Sequence, residues 1–101
     1  MKLFHTTDRR NLPSIMKNGL LPRAQLYDDP QLKAIFFWKY LQIAQNVCDP
    51  LSVILEVDIP KDCIHRGIWN EANHAFEYFV DDRIPPDALK VIEGKEDFRY
   101  F

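Results

Sequence analysis

Cysteine is scarce in this chain, with only Cys48 and Cys63 among 101 residues. Two thiols so far apart cannot make a disulfide framework, so reduced cysteines and a cytoplasmic setting are the expectation. Paired C-x-x-C and H-x-x-x-H spacings are also missing. Cys48, Cys63, His65 and His74 therefore lack a zinc-site pattern, and no metal is expected. Neither sign of charge dominates: 13 basic against 15 acidic residues give a net charge of −2, which leaves no electrostatic footprint for duplex nucleic acid. Long apolar runs are absent too. The best is Ala34-Ile35-Phe36-Phe37-Trp38, far short of the roughly 20 residues of a membrane span. Met1-Lys2-Leu3-Phe4-His5 reads straight into structure rather than as a signal peptide. No internal repeat or low-complexity segment appears.

What is present is ordinary globular material, 47% apolar and 28% charged, enough for one domain over residues 1–101 with one real core. Leu3 to Thr6 reads as a first strand. Asp8 to Asn11 offers N-cap candidates, and Pro13 suits a first helical turn. Leu12, Ile15, Met16 and Leu20 recur at helical spacing; Gly19 marks the helix end and Pro22 prevents continuation. Residues 23–33, with Asp28-Asp29-Pro30 inside, read as a loop. Residues 34–38 read as a strand buried on both faces, followed by a helix with Tyr40, Ile43, Ala44 and Val47 on one side. Val53, Leu55 and Val57 alternate with Ile54, Glu56 and Asp58 in the strongest strand, which Pro60 ends. Asp62 to Ala75 is either a long connection or a helix around Asn70 to Ala75. Phe76 to Val80 alternates as a strand, Pro85-Pro86-Asp87 begins a brief helical turn, and Lys90 to Ile92 forms another strand. Residues 95–101 add an edge strand or fray. The expected class is α+β, with short helices on a mainly antiparallel sheet.

Three polar residues stand where packing alone favours apolar ones. His5 and Thr7 end the first strand, and Glu77 sits between Phe76 and Tyr78. An ionised carboxylate in such a place is costly unless it is paired or used. Each also has a plain structural explanation: a glutamate on the solvated face of a sheet, a histidine satisfied by a backbone group. Cys63 beside His65 or His74 supplies the residue types of an activated thiolate, with nothing else in the sequence to support it.

Taken together, the segments at residues 3–23, 34–45 and 76–86 resemble the three-part layout of the ADP-ribosyltransferase-like fold. His5-Thr6-Thr7 matches that family's His-x-Thr strand end, and Ile15 through Gly19-Leu20-Leu21-Pro22 matches the helix after it. Phe36-Phe37-Trp38 with Ala44 matches the aromatic strand and helix of the middle motif. Glu77, with Ile84-Pro85-Pro86 downstream, matches the strand carrying the catalytic glutamate. Within the family, Asn11-Leu12-Pro13-Ser14-Ile15 and the segment from Phe76 to Pro86 most resemble the DarT-like branch, which modifies bases of single-stranded DNA.

The resemblance implies a small ADP-ribosyltransferase-like fold that takes ADP-ribose from NAD, as substrate, and passes it to an acceptor such as a nucleic-acid base or a protein. It further implies that His5 bonds the ribose of the nicotinamide nucleotide, with Thr7 steadying the strand end. Phe36 would stack on nicotinamide, with Phe37 the alternative. Glu77 would stabilise the oxocarbenium-like transition state, the kind of differential binding that accelerates a reaction. Phe36 stands where the His-Tyr-Glu branch has tyrosine, and Lys39-Tyr40-Leu41 where the DarT-like branch has Arg-Ser-Pro. A catalytically inactive member that binds a nucleotide or a protein is therefore the alternative. The segment from His65 to Ala75, with Trp69, Asn70, Glu71, Asn73 and His74, is either an acceptor-recognition loop or a plain solvated connection.

Overall fold

Seven strands and two short helices make up the computed structural model, which describes residues 1–26 and 29–93. In chain order they are β1 (Lys2–Asp8), α1 (Leu12–Asn18), β2 (Ala24–Leu26), β3 (Asp29–Trp38), α2 (Leu41–Val47), β4 (Ser52–Asp58), β5 (His65–Asn70), β6 (Ala75–Val80) and β7 (Leu89–Glu93). The strands run in the order β5-β6-β3-β1-β4-β7, β2 adds to β3, and every pairing is antiparallel. The α+β class with a mainly antiparallel sheet is as the sequence indicates.

Alternation along β1 sends Leu3 to one face of the sheet and Phe4 to the other. On the first face Leu3 joins Phe37, Leu55, Val57 and Val80 beneath Ile15 of α1 and Leu20. On the second, Phe4 and Trp38 pack with Ile54 against Ala44 and Cys48, at and just beyond α2. Both faces of β4 are thus covered, which is why its run from Ser52 to Leu55 is buried throughout rather than alternating. One helix per face leaves part of each helix unused. Met16 and Tyr40, expected on apolar helix faces, are 45% and 61% exposed.

Two segments differ from their sequence reading. Residues 23–33 contribute a strand pair: β2 pairs Ala24 with Ala34 and Gln25 with Lys33. Polar composition disguised an edge strand there, because its outer side needs no apolar residues. Asp62 to Ala75 contains β5 instead of a helix, paired with β6 from His65–Phe79 to Asn70–Ala75. Aromatic and cationic contacts on its outer surface, such as Arg66 over the Phe76 ring at 4.7 Å and Trp69 edge-on to Phe76 at 5.1 Å, replace the apolar periodicity that normally advertises a strand. The expectation for residues 95–101 falls outside the described residues. Among the described residues no helix is long and apolar enough to cross a membrane, and Cys48 and Cys63 are free thiols.

Gly19 performs the role its position suggests. Its φ is +82°, and a Cβ there would lie 2.1 Å from the Ile84 carbonyl oxygen. That close approach lets Leu20 and Ile84 exchange backbone hydrogen bonds of 2.9 Å each. The end of α1 is thereby tied to the segment that follows β6.

Candidate ligand-binding cleft

The two strands that carry His5 and Phe36 start as neighbours and then part. β1 and β3 form a single registered pair, Phe4–Trp38. Beyond it, His5 and Thr7 on one side and Ala34 to Phe36 on the other become walls of a cleft of about 400 Å³, with α1 and the connector from Gly19 to Ala24 completing the enclosure. That volume is within the range of small-molecule sites, roughly 300–1,000 Å³.

His5 spans the parting. Its Nδ1 lies 2.7 Å from the carbonyl oxygen of Phe36. A carbonyl can only accept, so Nδ1 carries the hydrogen and donates it. The ring retains some surface, yet desolvation is the dominant influence and lowers its pKa below the ordinary 6.5, partly opposed by the bond to Phe36. Near neutrality the imidazole is therefore uncharged, with Nε2 as its remaining acceptor. This geometry suits a ligand hydroxyl as donor to His5.

The cleft lining combines polar, cationic and aromatic side chains. Thr7 accepts from the Asn11 side-chain amide at 3.2 Å. Arg10 grips Asp8 with two hydrogen bonds of 3.1 Å, Nε to Oδ1 and Nη2 to Oδ2; its guanidinium holds the Asp8 carboxyl below the usual carboxylate range. Arg23 also lines the cleft, and among the described residues no carboxylate does. Phe36 is half-buried, packing its ring on Phe79 with centroids 6.1 Å apart.

Of the two rings considered for stacking, Phe36 is the one at the cleft. Phe37 is 1% exposed and belongs to the core, where its ring meets His5 at 5.6 Å between centroids. It cannot offer a face to a ligand; it supports the imidazole instead.

Glu77 is not among the residues lining the cleft. It stands opposite Trp38 in the β3–β6 ladder, where the neighbouring pairs are Phe37–Tyr78 and Phe36–Phe79. Strand alternation puts it on the same side as Phe36, a diagonal neighbour whose Cα is roughly 7–8 Å away or less. Its side is half-buried, and no hydrogen bond or ion pair engages its carboxylate among the described residues. The β5 register shifts between Arg66 and Trp69, so Gly67 and Ile68 together face Glu77. A bulge of this kind re-aims the residue across from it. A Cβ on Gly67 would come within 2.8 Å of the Glu77 carbonyl oxygen, so the close approach of β5 requires glycine.

His5, Thr7 and Phe36 thus line one cleft, whereas Glu77 lies off it: the Phe4–Trp38 and Trp38–Glu77 pairs put its side chain on the sheet face opposite His5 and Thr7. Sequence reasoning passed over Arg10, Asn11 and Arg23 as cleft residues. Their signal was topological: a strand, a short helix and a sharp return bring residue 23 back near residue 5. Compared with protein-family models and with curated protein sequences, the chain matches none.

Proposed function

We propose that the cleft binds NAD and that the protein transfers ADP-ribose from it to an acceptor. The observation that carries this reading is the anchored neutral His5, presented with Phe36 on the walls of a cleft that is lined by arginine and, among the described residues, by no carboxylate. His5 Nε2 accepts a hydroxyl hydrogen from the ribose next to nicotinamide. Phe36 holds the flat cationic ring by its face. The bond between ribose C1′ and the nicotinamide nitrogen breaks with its electron pair leaving on nicotinamide. The acceptor's nucleophilic atom then bonds C1′ and gives up its proton. Glu77, a diagonal neighbour of Phe36 with no partner among the described residues, is the carboxylate assigned to the positive charge that develops on the ribose. The acceptor is a nucleic-acid base or a protein side chain, presented beside Glu77 by the β5–β6 hairpin.

A second reading, a nucleotide-binding module without catalysis, is favoured by one fact: Glu77 does not line the cleft. Titration of isotope-labelled protein with NAD, together with an assay of nicotinamide release by wild type and Glu77→Gln, separates the two. Transfer chemistry gives shifts at His5, Thr7 and Phe36 and a release rate that Glu77→Gln lowers at least about a hundredfold, the scale for losing a transition-state contact. Shifts without release support the binding module. No shift at millimolar NAD overturns both.

A further inference from the structure

We infer that Asn18–Gly19 is a succinimide-forming site that the fold holds closed, and that its conversion to isoaspartate dismantles the cleft wall, whatever ligand the cleft takes.

The sequence supplies the reactants. Asn18 is one of five asparagines and the one that precedes glycine; the others precede leucine, valine, glutamate and histidine. A glycine has no Cβ to hinder approach to its amide nitrogen, and the only co-reactant is water. The Gly19 nitrogen gives its proton to hydroxide and attacks Cγ of Asn18. The N–Cγ bond forms, the Cγ–Nδ2 bond breaks, and Nδ2 takes up a proton from water and leaves as ammonia. Water then opens the cyclic imide at one of its two carbonyls. Breaking the new N–Cγ bond gives aspartate. Breaking the original peptide C–N bond gives isoaspartate, whose main chain is one methylene longer and whose former backbone carbonyl is a free carboxylate.

The fold keeps these reactants apart. Asn18 is exposed as the last residue of α1, whereas Gly19 is buried. The Gly19 N–H donates to the Ile15 carbonyl at 2.7 Å, so the nucleophile is engaged and its proton held. The Asn18 side chain turns back along the helix, where its amide reaches Ser14 Oγ at 3.5 Å. It therefore points toward the preceding turn, away from the nitrogen that follows. Arg83 adds a third restraint. Its Nε donates to the Asn18 carbonyl at 2.8 Å, fixing the peptide group that must rotate. Ring closure requires all three contacts to release, which is an opening of the last turn of α1, where helices fray first.

Conversion cannot be absorbed locally. A Cβ on Gly19 would already lie 2.1 Å from the Ile84 carbonyl oxygen, and Leu20 exchanges hydrogen bonds of 2.9 Å with Ile84. An added methylene between residues 18 and 19 displaces that tie, and Gly19, Leu20 and Leu21 are part of the cleft wall. Because ammonia is lost, the change does not reverse. The working life of the cleft is thus set by the time that the end of α1 spends open.

Peptide mass mapping during incubation at mildly alkaline pH tests this. The samples are native wild type, wild type unfolded in guanidinium chloride, and native Arg83→Gln, with Asn70 and Asn73 as internal references. Unfolded chain is expected to convert at Asn18 at least about tenfold faster than native protein. Native Arg83→Gln should convert about threefold faster than native wild type, the scale of one lost hydrogen bond. Urea unfolding of Arg83→Gln verifies that its global stability is retained. Equal rates in native and unfolded wild type overturn the protection. An Asn18 that stays intact in the unfolded chain overturns the site itself. An unchanged rate in Arg83→Gln overturns the restraint assigned to Arg83. Isoaspartate formed in native Arg83→Gln is then expected to lose amide-exchange protection at Leu20 and Ile84 while β4 keeps its own. Retained protection at those two residues, or equal loss in β4, overturns the effect on the wall.

Discussion

The two edges of β1 behave differently. Toward β4 it pairs without interruption through seven registered residues, from Lys2–Asp58 to Asp8–Ser52. Toward β3 it pairs once, at Phe4–Trp38. One edge closes the sheet; the other opens it. Backbone groups beyond a parting need other partners, and His5 supplies one by donating to the Phe36 carbonyl with its side chain. The same imidazole that satisfies the open edge is thereby fixed in tautomer and position for a ligand. The bland and the functional explanations of His5 are one arrangement: the hydrogen bond that makes it structural is what leaves Nε2 as an acceptor.

Breaking the closed edge and its core should cost the most. Phe37 is fully buried under His5, among Leu3, Leu55 and Val80. Phe37→Ala is expected to lower stability by about 3–5 kcal/mol, measured by urea unfolding. A loss under about 1 kcal/mol would mean that the two halves of the sheet do not share a core across the parting. Gly19→Ala comes next. It combines a φ of +82° with a Cβ aimed at the Ile84 carbonyl, and a loss on the order of 2–3 kcal/mol is expected. Because the bond from Leu20 to Ile84 would loosen, amide exchange at those two residues should accelerate more than exchange in β4. Uniform acceleration across the sheet would contradict the view of this tie as local to the cleft wall.

The strands at residues 3–6, 53–57 and 76–80, on both sides of the parting, were readable because their apolar runs follow from burial. Gly19 and Pro22 marked the end of α1 for steric reasons that need no tertiary context. β2 and β5 escaped notice because edge strands bury one side or none, so hydrophobic period carries little information there. Of the residues that motif resemblance singled out, His5, Thr7 and Phe36 line the cleft and Glu77 does not. The choice between Phe36 and Phe37 was not, since adjacent strand residues exchange faces with a one-residue change of register. Arg23 escaped for a different reason. It reaches the cleft wall only because the chain returns after α1, and the Asp8–Arg10 grip that distinguishes it from Arg10 is a fact of geometry.

The smallest expected effect is also the most discriminating, because it concerns the proton that links the two edges. Burial holds the His5 pKa below 6.5 in the folded protein, whereas the unfolded chain takes up that proton near the ordinary value. Between the two values the unfolded state binds more protons, so stability falls as pH drops below about 6.5 and levels off below the folded pKa. One proton limits the slope to about 1.4 kcal/mol per pH unit. The difference between wild type and His5→Gln in urea unfolding isolates this contribution. Asp8, held low by Arg10, loses its contribution in a separate, more acidic window. Ligand binding then tests the role of Nε2. Among the described residues the charged groups lining the cleft are Arg10, whose charge Asp8 pairs, and Arg23. If Nε2 accepts a sugar hydroxyl, protonation removes the acceptor and NAD binding weakens on acidification through the folded pKa. If His5 faces the phosphates instead, the new positive charge strengthens binding over the same range. A rise in affinity toward acid pH would therefore leave the open edge of β1 as an anion site and remove the sugar from His5.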